Sequence, residues 1–260
     1  MIFRDAARTL YAARLRAQVL SGPIPRHIAI VMDGNRRWAR QLGMANVSLG
    51  HQYGAEHIQD VLRWCVDVGV QHVTVFVASV DNLHKRESAE MLLLMDIIER
   101  VVVGRVVPNS PRWQLHVAGR LDLLPDSTGH ALKLARDATE GRDHHLTVAV
   151  GYDGREEVVD AVRSLLDDHA RAGTSLEELA RTLTKDDIAA HLYTSACPDP
   201  DLIIRTSGEQ RLSGFLLWQA AYSELYFCDV YWPGFRHVDF LRALRAFAGR
   251  SDQRRQVRTR

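Results

Sequence analysis

The sequence has 260 residues, with 33 lysines and arginines against 32 aspartates and glutamates, 46% hydrophobic and 25% charged. That balance is ordinary for a soluble globular chain of one large or two small domains, and a net charge of +1 leaves no bulk footprint for nucleic acid. Cys65, Cys197 and Cys228 form no C-x-x-C pair, which speaks against a zinc site or disulfide framework and for a reducing cytoplasm.

Residues 1–24 contain "AARTLYAARLRAQVL", an amphipathic helical pattern. It is expected to pack on the protein's own core, with at most a peripheral contact at the inner face of a membrane. Charges interrupt every apolar run, so neither a signal peptide nor a span of ~20 apolar residues is expected. From residue 25 to 250, strand-like and helix-like segments alternate. "HIAIVM", "HVTVFVAS", "QLHVAG", "HLTVAVGY" and "DLIIRTS" are apolar runs of the kind buried on both faces of a sheet. "AEHIQDVLRWCVDVG", "ESAEMLLLMDIIERVVVGRV", "STGHALKLARDATEG" and "REEVVDAVRSLLDDHARAG" have helical periodicity, and the first and last stop at Gly. The alternation predicts an α/β fold, a single domain with a central, mainly parallel sheet flanked by helices. The segment "MLLLMDIIERVVV" reads as a core helix or as the wall of an elongated apolar slot. Residues 251–260 read as a basic, flexible tail.

In open parallel sheets ligands bind beyond the carboxyl ends of the strands. Here those ends are polar: Asp33-Gly34-Asn35-Arg36-Arg37, Ser79 followed by Asp81-Asn82, Gly151-Tyr152-Asp153-Gly154-Arg155, and Arg205-Thr206-Ser207-Gly208-Glu209 followed by Arg211 and Ser213. Gly34 allows a sharp turn, a helix starting near Asn35 directs free N–H groups at an anion, and Arg36 and Arg37 supply fork-shaped donors. Asp33 repels a bare phosphate but suits one bridged by Mg²⁺. The competing interpretation is a capped strand–turn–helix corner with solvated arginines. Arg205, Arg211 and Ser213 around a Gly-containing turn read as a second anion pocket or as a polar surface loop. Glu224, inside apolar "AAYSELYF", needs either an arginine partner or a metal. His51 alone reads first as a structural histidine.

These residues resemble the cis-prenyltransferases, typified by undecaprenyl diphosphate synthase. "HIAIVMDGNRRWA", "GHQYGAEHI", "ASVDNL", "GYDGREEVVDAV" and "DLIIRTSGEQRLSGFLLWQAAYSELYF" are similar to that family's signatures, in the same order, from about Pro25 to about Leu244. The resemblance implies Asp33 as the catalytic aspartate engaging Mg²⁺ and the allylic diphosphate. It implies Gly34, Asn35, Arg36, Arg37, Trp38 and His51 as the surrounding pocket, and Arg205, Arg211 and Ser213 as the isopentenyl diphosphate pocket. Glu224 is implied as a second carboxylate for Mg²⁺, and Ser79 and Asn82 as residues near the condensation step. It also implies a homodimer and an apolar tunnel between sheet and helices. The activity implied is condensation of isopentenyl diphosphate with a short allylic diphosphate.

Several positions depart from the family pattern. Val47 stands where an arginine is common, and Val80-Asp81-Asn82-Leu83 replaces S-E-N-W. Asp153 stands in Y-G-G-R, and Gly214 ends the R-x-S-N pattern. "GNRRWAR" and "RLSGFLLWQ" are similar to an actinobacterial short-chain branch, the (2Z,6E)-farnesyl diphosphate synthases. Val77 places a branched side chain where long-chain members carry a small one. The rivals are a longer-chain synthase, an irregular coupling enzyme, a non-catalytic subunit, which should lack Asp33, and a phosphatase, which should carry a second acid where Asn35 stands.

Overall fold

The computed structural model describes the backbone of residues 2–85 and 88–258 and the side chains of residues 10–83 and 91–250. In chain order the elements are α1 (Ile2–Leu20), β1 (His27–Val31), α2 (Asn35–Gln41), α3 (Leu49–Val68), β2 (His72–Ser79), α4 (Val80–Lys85) and α5 (Ser88–Ile97). α5 passes directly into a π-helical stretch, Ile98–Val106. Then come β3 (Trp113–Ala118), α6 (Asp126–Ala138), β4 (His144–Tyr152), α7 (Gly154–Ala172), α8 (Leu176–Thr182), α9 (Lys185–Ala190), β5 (Leu202–Arg205), β6 (Glu224–Phe227) and α10 (His237–Arg258).

The strands form one six-stranded sheet in the order β3-β4-β2-β1-β5-β6. Every pairing is parallel, so all the strand ends named above share one rim. β1 is central and buried at every residue, with β2 on one side and β5 on the other. Alternate residues face opposite layers: Ile28, Ile30, Leu202 and Ile204 join the larger core, while Ala29, Val31 and Ile203 join a smaller one with Phe215 and Leu216. Full burial of each Ile or Leu contributes about 1.5–3 kcal/mol.

The larger core is closed by α3, α5, the π-helical stretch, α6 and α10. α1 packs on α10, with Leu15 and Val19 buried, as expected of an amphipathic helix applied to the protein's own core. The expected strands and helices form, with β6 in addition. β6 is a four-residue edge strand whose residues are only partly buried. The backbone of α10 continues to Arg258, so the segment expected to be a basic, flexible tail is helical in backbone as far as that residue. Its basic side chains lie outside the described ones. Among the described residues no helix is long and apolar enough to cross a membrane.

Candidate active site

The carboxyl ends of β1, β2, β4 and β5 open into one cavity of about 770 Å³. Its mouth is lined by Asp33, Gly34, Asn35, Arg36, Arg37, Arg40, His51, Ser79, Asp81, Asn82, Asp153, Arg205 and Ser213. Deeper in, the lining turns apolar, with Phe76 and Val77 from β2, Ala55 and Ile58 from α3, Leu94 and Ile97 from α5, and Ile98 and Val102 from the π-helical stretch. The segment read as a core helix or slot wall is thus both. π-Helical insertions recur at functional sites, and this one puts successive turns against the cavity.

The first corner is built on Gly34. Its φ is +98°, and a Cβ there would lie 2.6 Å from the Tyr231 ring, so a side chain is excluded twice over. The Gly34 N–H donates to Asp33 Oδ1 at 2.7 Å, which points the carboxylate back over the turn. Thr206 braces the same corner by donating its hydroxyl to the Asp33 carbonyl at 2.8 Å. α2 then starts with no side-chain cap, leaving its first amides directed at the mouth.

The second corner is built on Arg205, whose side chain is 5% exposed. Its guanidinium forks between Asp33 Oδ2 at 3.0 Å and Ser213 Oγ at 2.9 Å, and it also donates to the Arg211 carbonyl. Arg205 therefore ties the two corners together through Asp33. The loop after β5 is held on α7, where Gly154 N–H donates to the Gly214 carbonyl at 2.9 Å. Below it, the buried Glu157 accepts from the Tyr152 hydroxyl and from Gln219 Nε2, and Gln219 also donates to Thr194. Burial raises the Glu157 carboxyl above the ordinary range.

The structure does not bring three of the expected residues to the cavity. Trp38 packs on Tyr53 of α3, ring centroids 5.3 Å apart, because it sits on the face of α2 turned from the mouth. Arg211 is turned to solvent and pairs with Glu209 Oε2 at 2.7 Å. Glu224 opens β6 level with Leu202, at the opposite end of the sheet from Asp33, and pairs with Arg250 at 2.7 Å. Ser79 lines the mouth, but its hydroxyl also accepts from Asn82 N–H at 3.0 Å and so shapes the start of α4. Val47 lies in the turn before α3, outside the lining. Three contributors were missed. Arg40, one helical turn after Arg36, shares its face of α2, a spacing visible in the sequence. Ser207, part of the polar end of β5 but assigned no role, and Tyr231, which carried no local signal, come to Arg37 from distant segments.

Among the described residues no group of three or more His, Cys, Asp or Glu side chains is placed to hold a metal. Asp33 is one-third exposed at the mouth, which fits a cation held by one carboxylate and completed by ligand oxygens.

Fold and rim together define an α/β protein with two arginine-bearing corners, linked through Asp33, above an apolar cavity. The comparisons with known proteins narrow this class. The Prenyltransf family model, that of undecaprenyl diphosphate synthase, matches residues 31–256. An isoprenyl transferase of Streptomyces fradiae is 59% identical over 95% of this chain and 96% of the relative. The (2Z,6E)-farnesyl diphosphate synthase of Mycolicibacterium smegmatis is 47% identical over 95% of each chain. The crystal structure of lavandulyl diphosphate synthase from Lavandula x intermedia, in complex with dimethylallyl diphosphate, superposes with a TM-score of 0.80. It is 30% identical and covers 86% of this chain and 95% of its own. The chain belongs to the undecaprenyl diphosphate synthase family: it is a prenyltransferase, and its activity is cis-prenyl chain elongation.

Proposed function

We propose that this enzyme condenses isopentenyl diphosphate with geranyl diphosphate to give a short Z-prenyl diphosphate of the (2Z,6E)-farnesyl type. The observation that carries this reading is the pair of cationic corners joined through Asp33 at the mouth of an apolar cavity. Arg36 and Arg37, with His51 and the first amides of α2, take the allylic diphosphate. Arg205 and Ser213 take the diphosphate of the second substrate. Asp33 would hold Mg²⁺ together with substrate oxygens; Glu224 lies at the other end of the sheet from Asp33 and pairs with Arg250. When bound, Mg²⁺ offsets charge on the departing diphosphate. The arginines hold both anions in fixed register, so the allylic carbon and the attacking double bond meet without a bimolecular search. The apolar walls keep water from the electron-deficient carbon. Asn82 lies at the mouth near where the carbon chains must join. Its amide is offered as the group that orients the substrates during condensation.

Val77 lines the apolar part of the cavity, and its branched side chain narrows the space for a growing tail. The edge strand β6, with its own Leu225 and the preceding Tyr222 exposed, offers the surface for a homodimer, which light scattering checks. The functional test supplies Mg²⁺, labelled isopentenyl diphosphate and allylic primers of several lengths, followed by chromatography against standards of known length and geometry. A single fifteen-carbon (2Z,6E) product is expected from geranyl diphosphate. No extension of any primer overturns the reading, and coupling of dimethylallyl diphosphate with itself identifies an irregular enzyme instead. Val77→Ala is expected to lengthen the product by at least one five-carbon unit.

A further inference from the structure

The loop after β5 holds non-glycine residues in the left-handed region, among them Ser207 at φ +78°. Such a conformation is uncommon for serine and is retained where the surroundings over-determine it, typically at functional sites. Here the surroundings are tight. Ser207 is 8% exposed, its N–H donates to the Val230 carbonyl at 2.8 Å, and the Cβ that Gly34 lacks would lie 3.1 Å from the Ser207 Cβ. A glycine would adopt this backbone more easily, so the hydroxyl needs a reason.

Its partner is Arg37. Nη2 of Arg37 donates to Ser207 Oγ at 2.8 Å. The carboxylates around the same guanidinium are farther away, Asp33 Oδ1 at 3.5 Å and Glu209 Oε1 at 3.8 Å. The guanidinium also lies over the Tyr231 ring, 5.3 Å from its centroid. The Arg37 side chain is 40% exposed and long, so it carries rotamer freedom that anion binding must remove. A hydroxyl holds the guanidinium without cancelling its charge; a carboxylate at the same distance would do both.

We propose that Ser207 is a positioning residue for the allylic substrate. Its left-handed backbone turns the hydroxyl onto Arg37, so that the shortest side-chain hydrogen bond of that guanidinium is to a neutral group, while its ion pairs with Asp33 and Glu209 stay longer. The inference rests on the reading that Arg37 meets the allylic diphosphate.

The test uses Ser207→Ala, Ser207→Gly, Arg37→Ala and the two double variants. Steady-state kinetics with each substrate varied separately is combined with thermal unfolding. Loss of the hydroxyl is expected to raise the KM for geranyl diphosphate about three- to tenfold, with a smaller change in kcat and in the KM for isopentenyl diphosphate. Ser207→Gly is expected to unfold at a higher temperature than Ser207→Ala, because it relieves the backbone, yet to share its raised KM. In the Arg37→Ala background neither substitution should raise KM further. The proposal is overturned if KM follows stability, so that Ser207→Gly behaves as wild type. It is also overturned if Ser207→Ala leaves the primer KM unchanged, or raises it equally without Arg37. An Arg37→Ala variant with unchanged primer KM overturns the pocket assignment, and this proposal with it.

Discussion

The two ends of the sheet treat cationic side chains in opposite ways. At the carboxyl end, arginines stand at an open mouth, balanced by Asp33. At the amino end, β1, β2 and β4 begin with histidines that pack on one another, His27 and His72 buried and His145 partly so. His27 is bonded to the Pro198 carbonyl and to Thr74, His72 stacks on His145 at 4.6 Å, and His145 is bonded to His116 at 3.0 Å. Burial lowers the pKa of all four, that of His72 to about 4. One end keeps charged side chains at an open cavity; the other keeps its rings neutral. Parallel strands bring every carboxyl end to the same rim, so the chemistry gathers there and the other end is left to stability.

Asp33→Ala should break the working end most completely. Turnover is expected to fall by at least about 10²–10³, the scale of losing one preorganised electrostatic group, while thermal unfolding shows the fold retained. Near-normal rates would remove Asp33 from the mechanism. Arg205→Lys keeps the charge but loses the fork that spans Asp33 and Ser213. The KM for isopentenyl diphosphate is expected to rise about tenfold or more, with a smaller change for the primer.

The opposite end is probed with acid. Its histidines are neutral in the fold and titrate near 6.5 once unfolded, so the unfolded chain binds more protons between about pH 6.5 and the lowered folded values. Stability conferred by the neutral rings is present above that window and is lost as pH falls through it. The groups facing the ladder are Arg26, Asp201, Arg136, Asp143 and His144; the arginines deepen the effect and the aspartates soften it. Unfolding temperature measured from pH 7.5 to 4 should drop steeply below about 6.5. His72→Leu should flatten that drop and leave neutral-pH activity in place, since it removes a proton site and a buried Nδ1 without a hydrogen-bond partner. An unchanged pH profile in that variant would dissolve the contrast between the two ends.

Much of this was legible in the sequence because both signals were local. Apolar runs ending at Asp33, Ser79, Tyr152 and Arg205 gave strand and rim together, and a parallel sheet forces such rims to meet. Side-chain direction was not legible. Trp38 belongs to the same heptapeptide helix as Arg36 and Arg37 but faces α3, and Arg211 turns to solvent while its carbonyl stays inside. Glu224 was placed with Asp33 by motif likeness; the register of β6 puts it at the other end of its strand. β6 itself is short and half-buried, so periodicity had little to act on. The clasp of Ser207 and Tyr231 on Arg37 depends on segments far apart in the chain, which only the fold juxtaposes.

In the proposed enzyme, two diphosphates sit on either side of Asp33 at the carboxyl end of the sheet. The most direct test of that arrangement is a crystal structure with Mg²⁺, isopentenyl diphosphate and an inert thio-analogue of geranyl diphosphate. One diphosphate is expected on Arg36 and Arg37, a second on Arg205 and Ser213, and the analogue's tail against Val77 and Ile98. A single diphosphate spanning both corners, or a tail lying outside the cavity, would contradict it.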